Sequence, residues 1–479
     1  MAYFQSKPVS GRHFLQIPGP SNVPDRVLRA MDNPTMDHRG PDFGIFGKAL
    51  LEKTRHVFKT QGPVVIYPAS GTGAWEAALA NTLSPGDRVL MCETGWFAHL
   101  WDEMAARLGI VTDFVKTDWR RGADVEAIEA RLREDKAHTI KAVAVVHNET
   151  STGATSRIGE VRRAMDAAGH PALVLMCETG WFAHLWDEMA ARLGIVTDFV
   201  KTDWRRGADV EAIEARLRED KAHTIKAVAV VHNETSTGAT SRIGEVRRAM
   251  DAAGHPALLL VDTISSLGSM DYRHDEWGVD VTVSGSQKGL MLPPGLSFNA
   301  VSAKALKASD TAKLPRSFWD WKPMLASNTT GYFPYTPATN LLYGLDTAVD
   351  MLLEEGLENV FARHDRHAEA ARRAVRQWGF EIQCADPRHY SSVLTAVRLP
   401  EGHSANALRA TILERFNMSL GNGLGQLNDR VFRIGHLGDF GDLQLTGTLS
   451  GVEMGLRAAG IPHQSGGVLA AMDYLSGNA

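Results

Sequence analysis

Val64-Val65-Ile66-Tyr67-Pro68-Ala69-Ser70-Gly71-Thr72-Gly73 is an apolar run that ends in a small, polar turn, and Gly73–Leu83 continues as an amphipathic helical pattern. A short continuous apolar run of this kind reads as a strand buried on both faces, so the segment is a strand-then-helix unit. The alternation continues outward from it. Strands are expected at Arg88–Cys92, Val111–Val115 and Ile140–Val146, and helices at Phe97–Leu108, Val125–Arg133 and Ile158–Ala168. A buried run at Leu258–Val261 and a strand at Asp280–Ser284 follow. Such alternation predicts an α/β fold with a largely parallel sheet, helices on both faces and right-handed crossovers. Later the pattern changes to helices at Leu341–Glu355 and Gly356–Gly379, mixed with strands at Val393–Arg398 and Val431–Ile434. The expected organisation is an N-terminal arm over 1–21, a large domain over 22–355 and a smaller C-terminal α+β domain over 356–479.

One segment is present twice. Val89–Leu173 recurs without a change as Val174–Leu258, a period of 85 residues. Two identical copies are not a solenoid, which needs three or more diverged units with atypical ends. With one copy removed, the remaining 394 residues read as a single uninterrupted pattern of strands and helices. Closing an 85-residue loop costs about 4 kcal/mol, and the surplus helix and strand faces need partners as well. Any 85 consecutive residues beginning between Val89 and Val174 can be looped out to restore the same template.

The formal charge of -5 gives no electrostatic footprint for nucleic acid. The three cysteines, Cys92, Cys177 and Cys384, give neither a disulfide framework nor a metal cluster, since the first two are repeat copies of one another. The N-terminus lacks the apolar core of a signal peptide and no uninterrupted apolar span is long enough for a bilayer, so a cytoplasmic protein without membrane contact is expected.

Three features at strand ends carry the chemistry, because parallel sheets bind ligands beyond the carboxyl ends of their strands. Ser70-Gly71-Thr72-Gly73 opens a helix with small residues, which lets backbone N–H groups and the helix dipole meet a phosphate. An ordinary glycine turn with a serine cap has the same composition. Asp262 ends the apolar run Leu258–Val261, where a carboxylate needs a cation or a strong donor such as a protonated pyridine nitrogen. Capping of the following turn by Asp262 is the plainer alternative. Lys288 stands among small and apolar neighbours, and a desolvated lysine has a lowered pKa and can attack an aldehyde. An exposed lysine would have little use for such neighbours.

At these residues the chain resembles the class V, fold-type I aminotransferases, nearest to the serine–glyoxylate enzymes and next to the alanine–glyoxylate and aspartate–glyoxylate ones. The similarity spans the 394-residue template. It rests on ordered motifs beginning at Gly11 (GRHFLQIPGP), Asp37 (DHRGP), Ser70 (SGTGAWE), Asn81 (NTLSPGD), Val261 (VDTISSLG), Gly285 (GSQK), Pro334 (PYTP) and Val431 (VFRIGHLG), with HNETSTG in each repeat copy. The resemblance implies pyridoxal 5'-phosphate as cofactor, cradled at its phosphate by Ser70, Gly71, Thr72 and Gln287. It implies Asp262 on the pyridine nitrogen and Lys288 as the Schiff-base lysine. A ring-stacking aromatic would be Phe97 or its copy Phe182, and a threonine near the ring hydroxyl would be Thr150 or its copy Thr235. We favour Phe97, reached directly from the Ser70 helix, and Thr235, which feeds into the Asp262 strand. The surplus residues then lie between these two.

Arg433 corresponds to the arginine that clamps a substrate carboxylate, for which a guanidinium fork is suited. Arg39 and His38 are weaker candidates on the substrate side. Tyr335 and Thr336 match a segment that reaches the neighbouring subunit's cofactor phosphate, which implies a homodimer, while Phe333 lacks the hydroxyl that some relatives carry. The implied reaction is ping-pong transamination from a small amino acid, serine favoured, to the 2-oxo acid glyoxylate, giving hydroxypyruvate and glycine. Aspartate or alanine as donor is the near alternative. Gln287 and the few cysteines oppose a cysteine desulfurase, and an inactive protein disrupted by its duplicated segment is the reading from a different class.

Overall fold

The computed structural model describes residues 11–82, 89–93, 112–116, 130, 142–145, 148–149, 154–155, 173–178, 181–192, 197–221, 223, 225–314 and 316–477. Its centre is a seven-stranded sheet in the order Val64–Tyr67, Ser297–Val301, Val281–Gly285, Leu258–Asp262, Ile225–Val231, Leu173–Glu178, Thr197–Lys201. Pairing is parallel from Val281–Gly285 through Thr197–Lys201, and Ser297–Val301 runs antiparallel to both of its neighbours. The mainly parallel sheet is as the βα alternation predicts. The reversed strand was not anticipated, because Ser297-Phe298-Asn299-Ala300-Val301 interrupts its apolar positions with Ser297 and Asn299, both of them buried.

Alternate residues of each strand enter two cores, as the two-residue period of a strand requires. Val64, Ile66, Leu259 and Val261 face one side, where they meet Leu50, Ile213, Met250 and Leu345 from the helices Pro41–Phe58, Val210–Glu219, Ile243–Ala252 and Thr339–Glu355. Val65, Tyr67, Leu258 and Leu260 face the other. There they meet Ala77, Trp186, Ala305 and Trp321 from the helices Gly71–Thr82, Trp181–Arg192, Ala303–Thr311 and Trp321–Asn328. The strands are buried on both faces, which is why their sequences read as continuous apolar runs.

The described strands of the two repeat copies share one three-stranded arrangement. In the second copy Leu173–Glu178 lies between Thr197–Lys201 and Ile225–Val231, with Val174 opposite Thr197 and Ala227. In the first copy Val89–Glu93 lies between Thr112–Lys116 and Ala142–Val145, with Val89 opposite Thr112 and Ala142, the same register shifted by one repeat. Only the second copy is continuous with the central sheet, through Ile225–Val231 against Leu258–Asp262, whereas the first forms a separate three-stranded sheet. The sequence reading placed the surplus between Phe97 and Thr235. The structure instead draws all three outer strands of the central sheet from residues 173 onward. The helices expected at 97–108, 125–133 and 158–168 fall, apart from residue 130, outside the described residues, and their counterparts at Trp181–Arg192, Val210–Glu219 and Ile243–Ala252 are helical.

A five-stranded sheet forms the second unit, in the order Phe14–Gln16, Met418–Asn422, Val431–Gly435, Leu394–Arg398, Glu381–Ile382. Val375, Leu408, Ile412, Leu445, Leu449 and Ala471 cover it from the helices Leu357–Gln377, Ala405–Phe416, Asp442–Ala458 and Gly467–Leu475. Gly356, at φ +83°, turns the chain between the long helices Thr339–Glu355 and Leu357–Gln377, a conformation that glycine adopts without strain. Phe14–Gln16 pairs in parallel with Met418–Ser419-Leu420, so the N-terminal segment is tied to the C-terminal sheet.

Candidate functional site

Strands Val64–Tyr67, Leu258–Asp262 and Val281–Gly285 point the same way, and the chain that leaves their carboxyl ends carries Ser70–Thr72, Asp262 and Gln287–Lys288. These residues line one cavity of about 240 Å3, together with Trp75, Phe182, Asn233 and Thr235. Gly71 packs directly under Ile264, and a Cβ there would lie 2.1 Å from Ile264 Cδ1 and displace that side chain. The backbone at the helix start can approach a ligand closely, and the first-turn N–H groups have no partner within the helix. A Cβ on Gly285 would come within 2.9 Å of Gln287 Oε1 and 3.4 Å of the Gly71 nitrogen. The Gln287 amide thus lies beside the helix start. Gln287 Oε1 and Trp75 Nε1 are both buried without a hydrogen-bond partner in this wall. The Trp75 N–H and the Gln287 side-chain NH2 are donors that suit the acceptor oxygens of a phosphate, so the residues present fit a phosphate-bearing aromatic cofactor.

Asp262 is buried at the strand end. The Ile264 amide donates to its Oδ1 at 2.8 Å and the Trp186 indole donates to its Oδ2 at 2.9 Å. Burial, helped by the Glu234 charge, pushes its carboxyl up to about 6, against the lowering effect of these two donors and of the Trp75 indole. A carboxylate desolvated this far gains from a cationic neighbour, and a pyridinium supplies one.

Lys288 shares the cavity with Asp262, and its ammonium donates to the carbonyl of Pro18. Burial and the nearby Arg433 charge, opposed by Asp262, together lower its pKa to about 8. The segment around Pro18 is wedged in place: the Ser21 amide donates to the Gln287 carbonyl at 2.9 Å, and the Ser21 hydroxyl donates to the Lys288 carbonyl at 2.8 Å. At Gly19, a Cβ would fall 2.3 Å from Lys288 Cδ. On the opposite side of this segment, a Cβ on Gly435 would meet the Ile17 carbonyl at 2.2 Å. The N-terminal segment is thereby packed against both Lys288 and the Arg433 strand.

Arg433 is buried. It donates from Nε to the Asn422 carbonyl at 2.7 Å and from Nη1 to the Thr235 carbonyl at 2.8 Å. Two of its five N–H donors are engaged in this way, which fixes the guanidinium plane; Arg433 itself stands behind the cavity lining, tied to it through the Thr235 carbonyl. Burial lowers its pKa to about 10, with Glu234 opposing.

Glu234 was not singled out from the sequence, yet it organises this corner. It is fully buried and accepts from the Phe182 amide at 3.0 Å, the Ala183 amide at 3.3 Å, the Ser236 amide at 2.9 Å and the Ser236 hydroxyl at 2.7 Å. Ser236 Oγ also accepts from the Trp181 amide at 2.9 Å. The start of helix Trp181–Arg192, with Phe182 in the cavity wall, is therefore fastened to the turn that carries Thr235. Burial raises the Glu234 pKa against these four donors.

Several expected residues stand elsewhere. Phe97 and Thr150 lie outside the described residues, and it is Phe182 that lines the cavity, alongside Thr235. Arg39 is exposed and His38 half-buried, and neither lines the cavity. Tyr335 and Thr336 are exposed, with the Tyr335 hydroxyl donating to the Ser317 carbonyl at 2.9 Å and its ring stacked on Phe318. Phe333 packs edge-on against Phe43. Among the described residues no group of His, Cys, Asp and Glu could hold a metal ion, and no helix is long and apolar enough to cross a membrane.

The family model described as aminotransferase class-V matches residues 13–179 and again 168–424. The chain is 42% identical over 475 residues to the serine–glyoxylate aminotransferase of Methylorubrum extorquens, covering 98% of this chain and 97% of that one. It is 39% identical to the L-aspartate–glyoxylate aminotransferase of Paracoccus denitrificans, over 96% of this chain and 95% of that one. Among solved structures, the alanine–glyoxylate aminotransferase of Nostoc sp. matches at a TM-score of 0.71 and 25% identity, covering 95% of this chain and 98% of that one.

Proposed function

The chain belongs to the class-V aminotransferase family, and from that membership we propose that it is a pyridoxal-5'-phosphate-dependent transaminase that transfers the amino group of serine to glyoxylate. The observation that carries this reading is the convergence of the Ser70–Thr72 helix start, Asp262 and Lys288 on one cavity. When bound, the cofactor supplies an electron sink for the substrate α-carbon. The chain's own residues do the rest. Backbone N–H groups of Gly71 and Thr72, the Ser70 hydroxyl and the Gln287 amide bind the phosphate. Asp262 keeps a proton on the ring nitrogen, and Phe182 covers one ring face beside Thr235. Arg433 clamps the substrate carboxylate with its remaining N–H donors. Lys288, with a pKa near 8, would take the substrate α-proton on its neutral Nζ and hold it for return on the same side of the site.

Serine is favoured as donor by the relatives named for it, at 42% and 40% identity. Aspartate is the second reading, because a relative named for that donor is 39% identical. Small pocket changes redirect such enzymes without touching the cofactor site. The exposed Tyr335 and Thr336 support a homodimer in which they face the partner's cavity. A chain inactivated by its repeat is disfavoured, since the second copy alone provides Phe182, Glu234 and Thr235. Incubation with glyoxylate and serine, aspartate or alanine tests the proposal, with hydroxypyruvate as the expected product from serine. Lys288→Ala is expected to lower turnover by about a thousandfold or more, the scale of a lost general acid–base group. Turnover at the wild-type rate by that variant sinks the reading.

A further inference from the structure

We propose that Trp186 is a positioning residue for Asp262: its indole N–H holds Oδ2, so that the carboxylate presents a fixed remaining lone pair to a bound pyridine nitrogen. The inference rests on the functional reading above and deepens it. Trp186 is 2% exposed, and its only polar atom donates to Asp262 at 2.9 Å. The Ile264 amide holds Oδ1 at 2.8 Å, so both oxygens are pinned and the carboxylate plane cannot turn. Phe182 and Trp186 are four residues apart on one helix and so share a face, which places the cavity-wall aromatic and the carboxylate's donor on one rigid element. That element is anchored by Glu234 and Ser236 at its first turn, and Trp186 is braced by the Trp75 ring, with centroids 4.7 Å apart.

The arrangement also identifies which repeat copy serves the site. Trp101 is the counterpart of Trp186, yet the bond to Asp262 is made by the second copy. A charged acceptor that loses such a donor weakens the interaction it supports by about 10- to 100-fold. The groups bearing on Asp262 besides Trp186 are the Ile264 amide, the Trp75 indole, the negative Glu234 and the positive Lys288. Removal of the indole N–H leaves these unchanged and makes Asp262 easier to protonate.

The test is a titration of the cofactor-free full-length protein with pyridoxal 5'-phosphate, followed by absorbance from pH 5 to 8. Trp186→Phe is expected to raise the dissociation constant about 10- to 100-fold and to move the acid limb of binding to higher pH. Trp101→Phe, the same chemical change in the other copy, is expected to bind as the wild type does. A merely structural role for Trp186 would lower the melting temperature without moving the acid limb. Trp186→His keeps a ring N–H donor and is the second variant, with its limb expected near the wild-type position. Wild-type affinity and limb in Trp186→Phe, equal weakening in Trp101→Phe, or a folded Trp186→His with a displaced limb each overturn the proposal. Failure of the wild type itself to take up the cofactor overturns the functional reading instead.

Discussion

Asp262 is costly to the fold and useful to the site for the same reason. Its carboxyl is raised from 3.8 to about 6 by burial, while an unfolded chain keeps the ordinary value. Between these values the folded protein holds a proton that the unfolded chain has released. The stability this group contributes is therefore present below about pH 4, declines as pH rises to about 6 and stays lost above it. A shift of this size corresponds to the order of 2–3 kcal/mol. Asp262→Asn is accordingly expected to make the cofactor-free protein more stable at pH 8 and to leave it nearly unchanged at pH 4, as read by urea unfolding at both values. The same variant should bind pyridoxal 5'-phosphate poorly, because a neutral amide cannot hold the ring proton. An equal stability change at both pH values would mean that Asp262 is not strained by its burial.

At the scale of the element, helix Trp181–Arg192 depends on a carboxylate supplied from 52 residues away in sequence, at Glu234. Glu234→Gln replaces an acceptor of four bonds with a group that is half donor. About 1–3 kcal/mol of stability should be lost, with weaker cofactor binding as Phe182 and Trp186 shift. Glu149→Gln, at the first copy's counterpart, should leave cofactor binding unchanged, and a matching loss there would contradict the assignment of copies. The contrast shows what could be read in advance. Ser70, Asp262 and Lys288 were legible because each ends an apolar strand, and strand ends in a parallel sheet form one rim. Glu234 and Trp186 were not, since each is recognisable only through a partner that the fold brings from another element. The choice between Phe97 and Phe182 was beyond reading for a simpler reason: the two stand in identical sequence.

For the whole molecule, the second copy supplies the three outer strands of the central sheet and the cavity wall, and the first forms a sheet of its own. A chain lacking residues 89–173 is expected to keep cofactor binding and transamination, and to unfold at higher temperature, relieved of a loop worth about 4 kcal/mol. Loss of bound cofactor on that deletion would show that the first copy contributes to the site. The shared register of the two three-stranded sheets has a kinetic consequence. Leu258–Asp262 offers one edge to two identical claimants, so refolding is a competition between degenerate partners. The second copy reaches it across 27 residues (231 to 258), the first across 112 (146 to 258). Two doublings of span amount to about 1.2 kcal/mol, a bias of roughly eightfold by the usual conversion. The side-chain contacts at that edge are the same for either copy, so proximity along the chain is what favours the docked one.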